Sequence, residues 1–295
     1  MFHRDFMEYH QDSFEDFSLL IFNQEKLVAV LPANKIRNKI FSHQGLTYGG
    51  FVFSNKVAFQ TVLGSVMSLL KYLSENNIQA IVLKQLPKIY HLRPSDEMDY
   101  LLFILKAKLV RKNLSMTIPL NNTMNYSKLR TRKIKMALSS NLRIIIDEDF
   151  SSFWNEVLIP NLRNKYGVKP VHSLSEINYL HEKFPNKIKQ YNVYMNGEIL
   201  AGCTVFETKK VAHLQYISTK KHKNVGALDF LINELIYEVY KDKEYFDFGI
   251  SNENEGKNIN LGLLNWKQSF GASPVIHDFY EIQVENYPAL KNILI

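Results

Sequence analysis

The sequence predicts an α/β chain of two tandem domains, each built on a mixed sheet. Three observations carry that reading. The length of 295 residues exceeds what one hydrophobic core usually organises. The second half sets out a definite order of strand and helix patterns. The first half repeats most of that order roughly 165–170 residues earlier, the mark of a duplicated domain and not of a solenoid of short repeats.

The second half opens on a β-branched strand at 142–146, followed by helical patterns at 152–165 and 173–184. A strand at 191–195 turns through Asn196-Gly197, the strongest short hairpin signal, into a return strand at 198–206. A second turn at Thr208-Lys209-Lys210 leads to a strand at 211–217. Then come a basic loop, a helix over 226–241, a strand at 245–250, a helix over 259–270 stopped by Gly271, and a last strand at 277–284.

In the first half, strands at 18–22 and 27–32 form a hairpin around Asn23-Gln24-Glu25-Lys26. A helix at 57–74, a strand at 79–86, a helix at 96–106 and a strand at 109–120 follow. Too few residues precede the hairpin for the opening strand and two helices of the second half, so the first domain is expected to lack them, either because it is abbreviated or because the natural amino terminus is missing from this sequence. The expected division is therefore 1–120, a basic linker helix over 121–141, and 142–295. No Asp or Glu interrupts residues 121–146. On a helical wheel Leu129, Lys133, Met136 and Ala137 share a face, with Arg130 and Lys135 elsewhere. Such a basic 126–143 segment suits an anionic membrane surface, tRNA or a nucleotide sugar.

Composition narrows the class. Charged residues make up 22% and hydrophobic residues 46%, a globular balance that excludes a disordered or fibrous chain. A net charge of +7 suits phosphate-bearing ligands, anionic lipid or RNA. The single Cys203 has no disulfide partner, builds no metal cluster, and in its apolar run reads as a packing residue. No stretch approaches the roughly 18 apolar residues of a spanning helix, and the start lacks the order of a signal peptide. The expected location is cytoplasmic, with peripheral membrane contact as a variant. Zinc spacings, Gly-x-Ser-x-Gly, phosphate-loop and dinucleotide fingerprints are missing from the sequence, which leaves hydrolase, kinase and dehydrogenase chemistry unsupported.

Several stretches carry a resemblance: residues 42–50 (SHQGLTYGG), 165–172 (KYGVKPVH) and 246–253 (FDFGISNE), continuing through Gly262, Trp266-Lys267 and Phe270-Gly271-Ala272. Together with the order strand, two helices, three antiparallel strands, helix, strand, helix, strand, they resemble the GNAT acyltransferase superfamily. Two such domains in one chain are similar to its FemAB-like branch, whose members add amino acids to cell-wall precursors. The resemblance implies an acyltransferase of cell-envelope or surface-polysaccharide synthesis. Its leading form is an N-acyltransferase carrying an acyl group from acyl-CoA (acetyl-CoA) to an amino sugar or similar amine. Aminoacyl transfer from charged tRNA to a peptidoglycan precursor is the enzymatic rival. A non-catalytic scaffold that binds a nucleotide sugar or a partner is the third reading.

In this fold the loop after the fourth strand holds the coenzyme A pyrophosphate, with the pattern Gln or Arg, two residues, Gly, one residue, Gly or Ala. Residues Lys220, Lys221, Lys223, Asn224, Val225, Gly226 and Ala227 match it in part. Helix-end amides and dipole would hold phosphate there, and a lysine-rich turn with no ligand explains the same residues. The acyl group would lie where the fourth and fifth strands part. His213 and Asp247 stand on those strands as candidate bases, with Glu253 as a further choice and Gln215 to orient the acceptor. Strict alternation groups His213, Gln215 and Ile217 on one face, with Leu214 and Tyr216 on the other. A hydrogen-bonded sheet histidine and a structural carboxylate are the plain alternatives. Ser251, Asn252 and Lys267 near the strand end, Tyr166 and His172 around a Gly-Val-Lys-Pro loop, and His43 and Tyr48 in the first domain complete the candidate substrate contacts. Turn, cap and core roles explain each of these as well. No metal is expected.

Overall fold

The structure, a computed structural model, describes residues 2–121, 125–220 and 225–294, and of Tyr166 the backbone alone. In chain order the elements are α1 (Arg4–Glu8), β1 (Glu15–Asp16), β2 (Leu19–Asn23), β3 (Lys26–Leu31), β4 (Asn34–Ile36), β5 (Lys39–Phe41) and β6 (Val52–Phe53). Next are α2 (Phe59–Glu75), β7 (Ala80–Lys84), α3 (Glu97–Ile104), β8 (Lys108–Pro119), α4 (Lys128–Leu138) and β9 (Arg143–Asp147). A helical run follows as α5 (Ser151–Phe153), a π-turn (Trp154–Leu158) and α6 (Ile159–Tyr166), then α7 (Leu174–Lys183). The remainder is β10 (Ile188–Met195), β11 (Glu198–Glu207), β12 (Val211–Thr219), α8 (Ala227–Glu234), β13 (Tyr245–Ile250), β14 (Asn252–Glu253), β15 (Asn258–Ile259), α9 (Leu261–Gln268) and β16 (Ser273–Gln283).

Two compact units result. One comprises residues 1–113, 254–258 and 276–295, the other residues 114–253 and 259–275. The closing strand of each half is thus shared: β8 gives residues from Leu114 onward to the second unit, and β16 gives residues from Ile276 onward to the first.

In the first unit the strands run β1-β4-β5-β7-β16, and β2, β3 and β6 form a small second sheet. The pair β5–β7 is parallel, whereas β16 lies antiparallel to β7 with Phe279 opposite Lys84. Helix α2 buries Val62, Val66, Leu69, Leu70 and Leu73, a stripe at spacings of three and four that packs on Leu31, Ile40, Ile81 and Ile282. Among the described residues ahead of the expected hairpin are the five-residue α1, a single 3-10 turn and the two-residue β1. The short strands β4, β5 and β6 were not legible as strands, because each has two or three residues and their order is imposed by pairing partners.

In the second unit the order is β8-β13-β12-β11-β10-β9. Every pairing is antiparallel except β12–β13. Asn196 and Gly197 both have positive φ, as the Asn-Gly signal requires of its turn. Ser173 and Glu176 form a reciprocal capping box at the start of α7. Cys203 is fully buried in the core, where burial pushes its thiol pKa upward.

The linker segment corrects its sequence reading. Ser127 caps α4 through a bond from the Arg130 amide, and the face that packs is Arg130, Ile134 and Ala137. Leu129 and Met136 are exposed. The wheel gave Arg130 to the solvent side because its charge outweighs its shape in any hydropathy pattern. In the fold its guanidinium pairs with the buried Asp229 of α8, lies 4.4 Å from the Phe270 ring centroid, and donates from Nε to Ser269 Oγ at 2.9 Å. A buried pair of this kind is costly to break from one side, since the surviving charge has no solvent. Asp229→Asn and Arg130→Met should each lower unfolding stability by ~3–5 kcal/mol in urea denaturation, with the double replacement Arg130→Met/Asp229→Leu costing clearly less than the sum.

Candidate active site

The chemistry-bearing residues of the second unit gather where β12 and β13 part. Their parallel pairing covers Val211↔Tyr245, Ala212↔Phe246 and His213↔Asp247 and goes no further. Each strand carries a bulge just beyond that point. On β12, Thr204 of β11 faces Tyr216 and Val205 faces Leu214, so Gln215 is the extra residue. On β13, Asp247 faces Thr117 and Ile250 faces Ser115, so Phe248 and Gly249 stand against Met116 alone. A bulge bends its strand and increases local twist, and two of them at one level turn the strands away from each other. Gly249 supplies the backbone for this, with φ of +72°. A Cβ there would sit 3.3 Å from Cε1 of the buried His213, so a larger residue would crowd the imidazole.

The bulge overturns strict alternation on β12. Leu214 and Ile217 both pack on the hydrophobic core. Tyr216 points the other way, packing edge-on to Trp154 with its hydroxyl 2.6 Å from His172 Nδ1 and accepting a bond from the His172 amide at 3.0 Å. Gln215 therefore stands out of register, and its buried Oε1 makes no hydrogen bond among the described residues.

Asp247 is 3% exposed and collects its donors from three strands. Ser115 Oγ donates to Oδ1 at 2.7 Å, Thr117 Oγ1 at 3.3 Å and the Gly249 amide at 2.9 Å. Oδ2 lies 2.9 Å from His213 Nδ1. A carboxylate met by so many donors acts purely as acceptor, so Nδ1 carries the proton and Nε2 keeps its lone pair. The arrangement orients a histidine as a proton acceptor.

Lys267 reaches back from α9. Its Nζ donates to Gly249 O at 2.8 Å and Ile250 O at 2.6 Å, holding the two carbonyls at the end of β13. The side chain is 1% exposed, and burial draws its pKa down to about 7 against the opposing pull of Asp247. These two carbonyls take two of its N–H groups.

Among the other candidates, Glu253 is exposed and receives a bond from Asn260 Nδ2 at 2.8 Å, while Asn260 caps α9. Asn252 Oδ1 accepts from the Leu114 amide at 2.8 Å, and Ser251 exchanges backbone bonds with Leu114 and Asn260 while its buried Oγ has no partner among the described residues. These three tie the strand end together in the manner of turn and cap residues. His172 lies in the Tyr216–Trp154 cluster. His43 and Tyr48 are buried in the first unit, at 4% and 3% exposure. The Tyr166 side chain and residues Lys221, Lys223 and Asn224 lie outside the described residues.

Of the basic loop, Lys220 is held by Glu156 and Glu198 at 3.3 and 3.5 Å. Val225 packs against the core, and Ala227 is buried in the first turn of α8. Gly226 is the N-cap with φ of +73°, and a Cβ there would meet Lys133 O at 2.9 Å. Its close neighbour is therefore α4. Asp229 adds a carboxylate to the same helical turn.

Sequence reasoning passed over Ser115, Thr117 and Gly249. The first two had a signal: Asn113, Ser115 and Thr117 alternate with Leu114, Met116 and Ile118, a polar row that a buried sheet must satisfy.

No family model and no curated protein matches the chain. Solved structures do match over nearly its full length. FemX aligns with a TM-score of 0.65 at 11% identity, covering 98% of this chain and 93% of that one. L-PGS from Bacillus licheniformis gives 0.61 at 9% identity, over 90% and 84%. The C-terminal domain of a putative lysylphosphatidylglycerol synthetase from Agrobacterium fabrum gives 0.59 at 10% identity, over 94% and 87%. The chain has the FemX fold. The α/β fold with mixed sheets expected from the sequence is the fold found. Among the described residues no helix is long and apolar enough to cross a membrane, and no group of three or more His, Cys, Asp or Glu is placed to hold a metal.

The Lys267 pKa sets a pH dependence. Its folded value lies near 7 and the ordinary lysine value at 10.5, so between these limits the unfolded chain binds the extra proton and stability rises with pH. Relative to the parent, Lys267→Met should lose this gain. Thermal melts from pH 7 to pH 10 should show the parent rising against the variant, and parallel curves would contradict a buried neutral amine.

Proposed function

We propose that the second unit catalyses amide formation, moving an acyl group from an activated donor to an amine of a cell-envelope precursor such as an amino sugar or peptidoglycan intermediate. The observation that carries this reading is the His213–Asp247 pair at the divergence of β12 and β13. An amine attacks only as its neutral form and must shed a proton as the C–N bond forms. His213 Nε2 takes that proton, directly or through one water, while Asp247 holds Nδ1–H and steadies the imidazolium. The proton then passes to the leaving group as its bond to the acyl carbon breaks. The unpartnered Gln215 Oε1 is suited to accept a remaining N–H of the amine and so aim its lone pair.

Two donors suit such a site, acyl-CoA and aminoacyl-tRNA. Acyl-CoA requires a pyrophosphate cradle at the start of α8. At the described part of that helix end Lys133 O of α4 lies close against Gly226, and the Arg130–Asp229 pair occupies the first turn. An internal carboxylate at a helix N-terminus competes with a phosphate for the same dipole. This favours an aminoacyl ester as donor over acetyl-CoA. The names of FemX and lysylphosphatidylglycerol synthetase, the proteins whose folds align over nearly the whole chain, agree with that preference. The basic 126–143 segment offers Lys128, Arg132, Lys133 and Lys135 to RNA or an anionic membrane surface, with Arg130 withdrawn into the core.

The test begins with the purified chain and a mixture of charged tRNAs or acetyl-CoA, assayed for binding and for transfer to envelope-precursor extracts by mass spectrometry. Charged tRNA should bind and donate. His213→Gln and Asp247→Asn should retain donor binding but lower transfer by ~10²–10⁴-fold, the range for a lost oriented base. Transfer that survives both replacements would remove the proposed chemistry, and tight acetyl-CoA binding with transfer would reverse the choice of donor.

A further inference from the structure

The first unit holds two cations that the chemistry above does not use. Lys84 ends β7, and Phe279 stands opposite it on β16. Arg111 lies on β8, the strand beyond β16. Lys84 Nζ is 5.7 Å from the Phe279 ring centroid and Arg111 Cζ is 4.9 Å from it. Two strands thus bring two positive charges to one ring. A ring attracts a cation through its quadrupole and neutralises none of its charge.

Among the described residues neither cation reaches a carboxylate. The Lys84 ammonium donates to Leu46 O, and Arg111 Nε donates to Asn113 Oδ1 at 3.0 Å. Neighbouring lysines are treated differently. Lys112 bonds Asp278 at 2.5 Å, and Lys88 lies 2.9 Å from both Asp96 and Asp99. Burial, and then the charge of Arg111, draws the Lys84 pKa down to about 8. His43 lies within electrostatic reach of Lys84. Burial above all, then the charges of His10 and Lys84, hold its pKa at about 4 against Asp16, so its imidazole is neutral. Its side chain is 4% exposed, and Nδ1 has no hydrogen-bond partner among the described residues.

We propose that Lys84 and Arg111 form a binding site for the phosphoryl group of a phosphate ester. Two cations without an internal counter-charge call for a dianion, which a phosphate monoester supplies and a single carboxylate does not. The guanidinium fork suits two phosphate oxygens and the ammonium a third. The site shares no residue with the His213–Asp247 centre, so either reading stands or falls alone.

Glucose 1-phosphate titrated into the full chain by calorimetry provides the test, with acetate as the monoanionic control and phosphatidic acid vesicles as the lipid arm. The parent should bind glucose 1-phosphate, and Lys84→Met and Arg111→Gln should each weaken binding about tenfold or more, the order of a lost charge-assisted bond. Lys112→Gln, which removes a cation already paired, should bind like the parent. Without ligand, Lys84→Met should melt no lower than the parent, because it deletes an uncompensated cation. Binding to vesicles but not to the free ester would identify a lipid headgroup as the source of the phosphate, and the reverse a soluble ester. No response of the folded parent to either phosphate probe, parent-like binding in both variants, or an equal response to acetate would overturn the site.

Discussion

The structure of the second unit turns on one carboxylate. Asp247 sits at the last residue where β12 and β13 still pair, and its donors come from β8, β12 and its own strand. A buried charge costs several kcal/mol to desolvate, and that cost is tolerable only where hydrogen bonds replace water on both oxygens. Here they do. The same bonds pin three strands at the level where two of them bulge, so the sheet opens beyond Asp247 without losing register before it. Lys267 completes the arrangement from the far side by satisfying the carbonyls that the Gly249 bulge frees.

Most of the architecture was legible in sequence because periodicity records burial. The Asn196-Gly197 hairpin, the capped α7, and the α2 stripe all follow from local rules that the tertiary fold leaves intact. The fold of the second unit's site was legible only in outline. His213 and Asp247 could be chosen as strand residues with no obvious core role, yet nothing local indicates that they touch. Gln215 illustrates the reason. Its bulge is a property of two strands together, so counting along one strand sends Tyr216 and Ile217 to the wrong faces. The misplacement of Arg130 has a related cause: a partner 99 positions away in sequence decides whether an arginine is a solvated charge or a core residue.

The two cations of the first unit and the carboxylate of the second pose opposite electrostatic problems. Asp247 is fully answered by the protein, which fixes its geometry and suits it to orient a proton acceptor. Among the described residues Lys84 and Arg111 are left without a carboxylate, which leaves their charge for something from outside. Around α8 the balance is internal again, with Asp229 in the first turn and Arg130 beside it. Where a chain neutralises its charges and where it leaves them open is thus a guide to which surfaces hold themselves together and which await a ligand.

The central claim is that Asp247 fixes His213 with the proton on Nδ1 and the lone pair on Nε2. Nitrogen-15 NMR of imidazole-labelled protein measures this directly through the two ring-nitrogen shifts of His213. The account predicts that in the neutral ring Nδ1 is protonated and Nε2 is not, with that preference lost in Asp247→Asn, where the amide can donate to the ring. An Nε2–H tautomer in the parent, or a spectrum unchanged by Asp247→Asn, would contradict it.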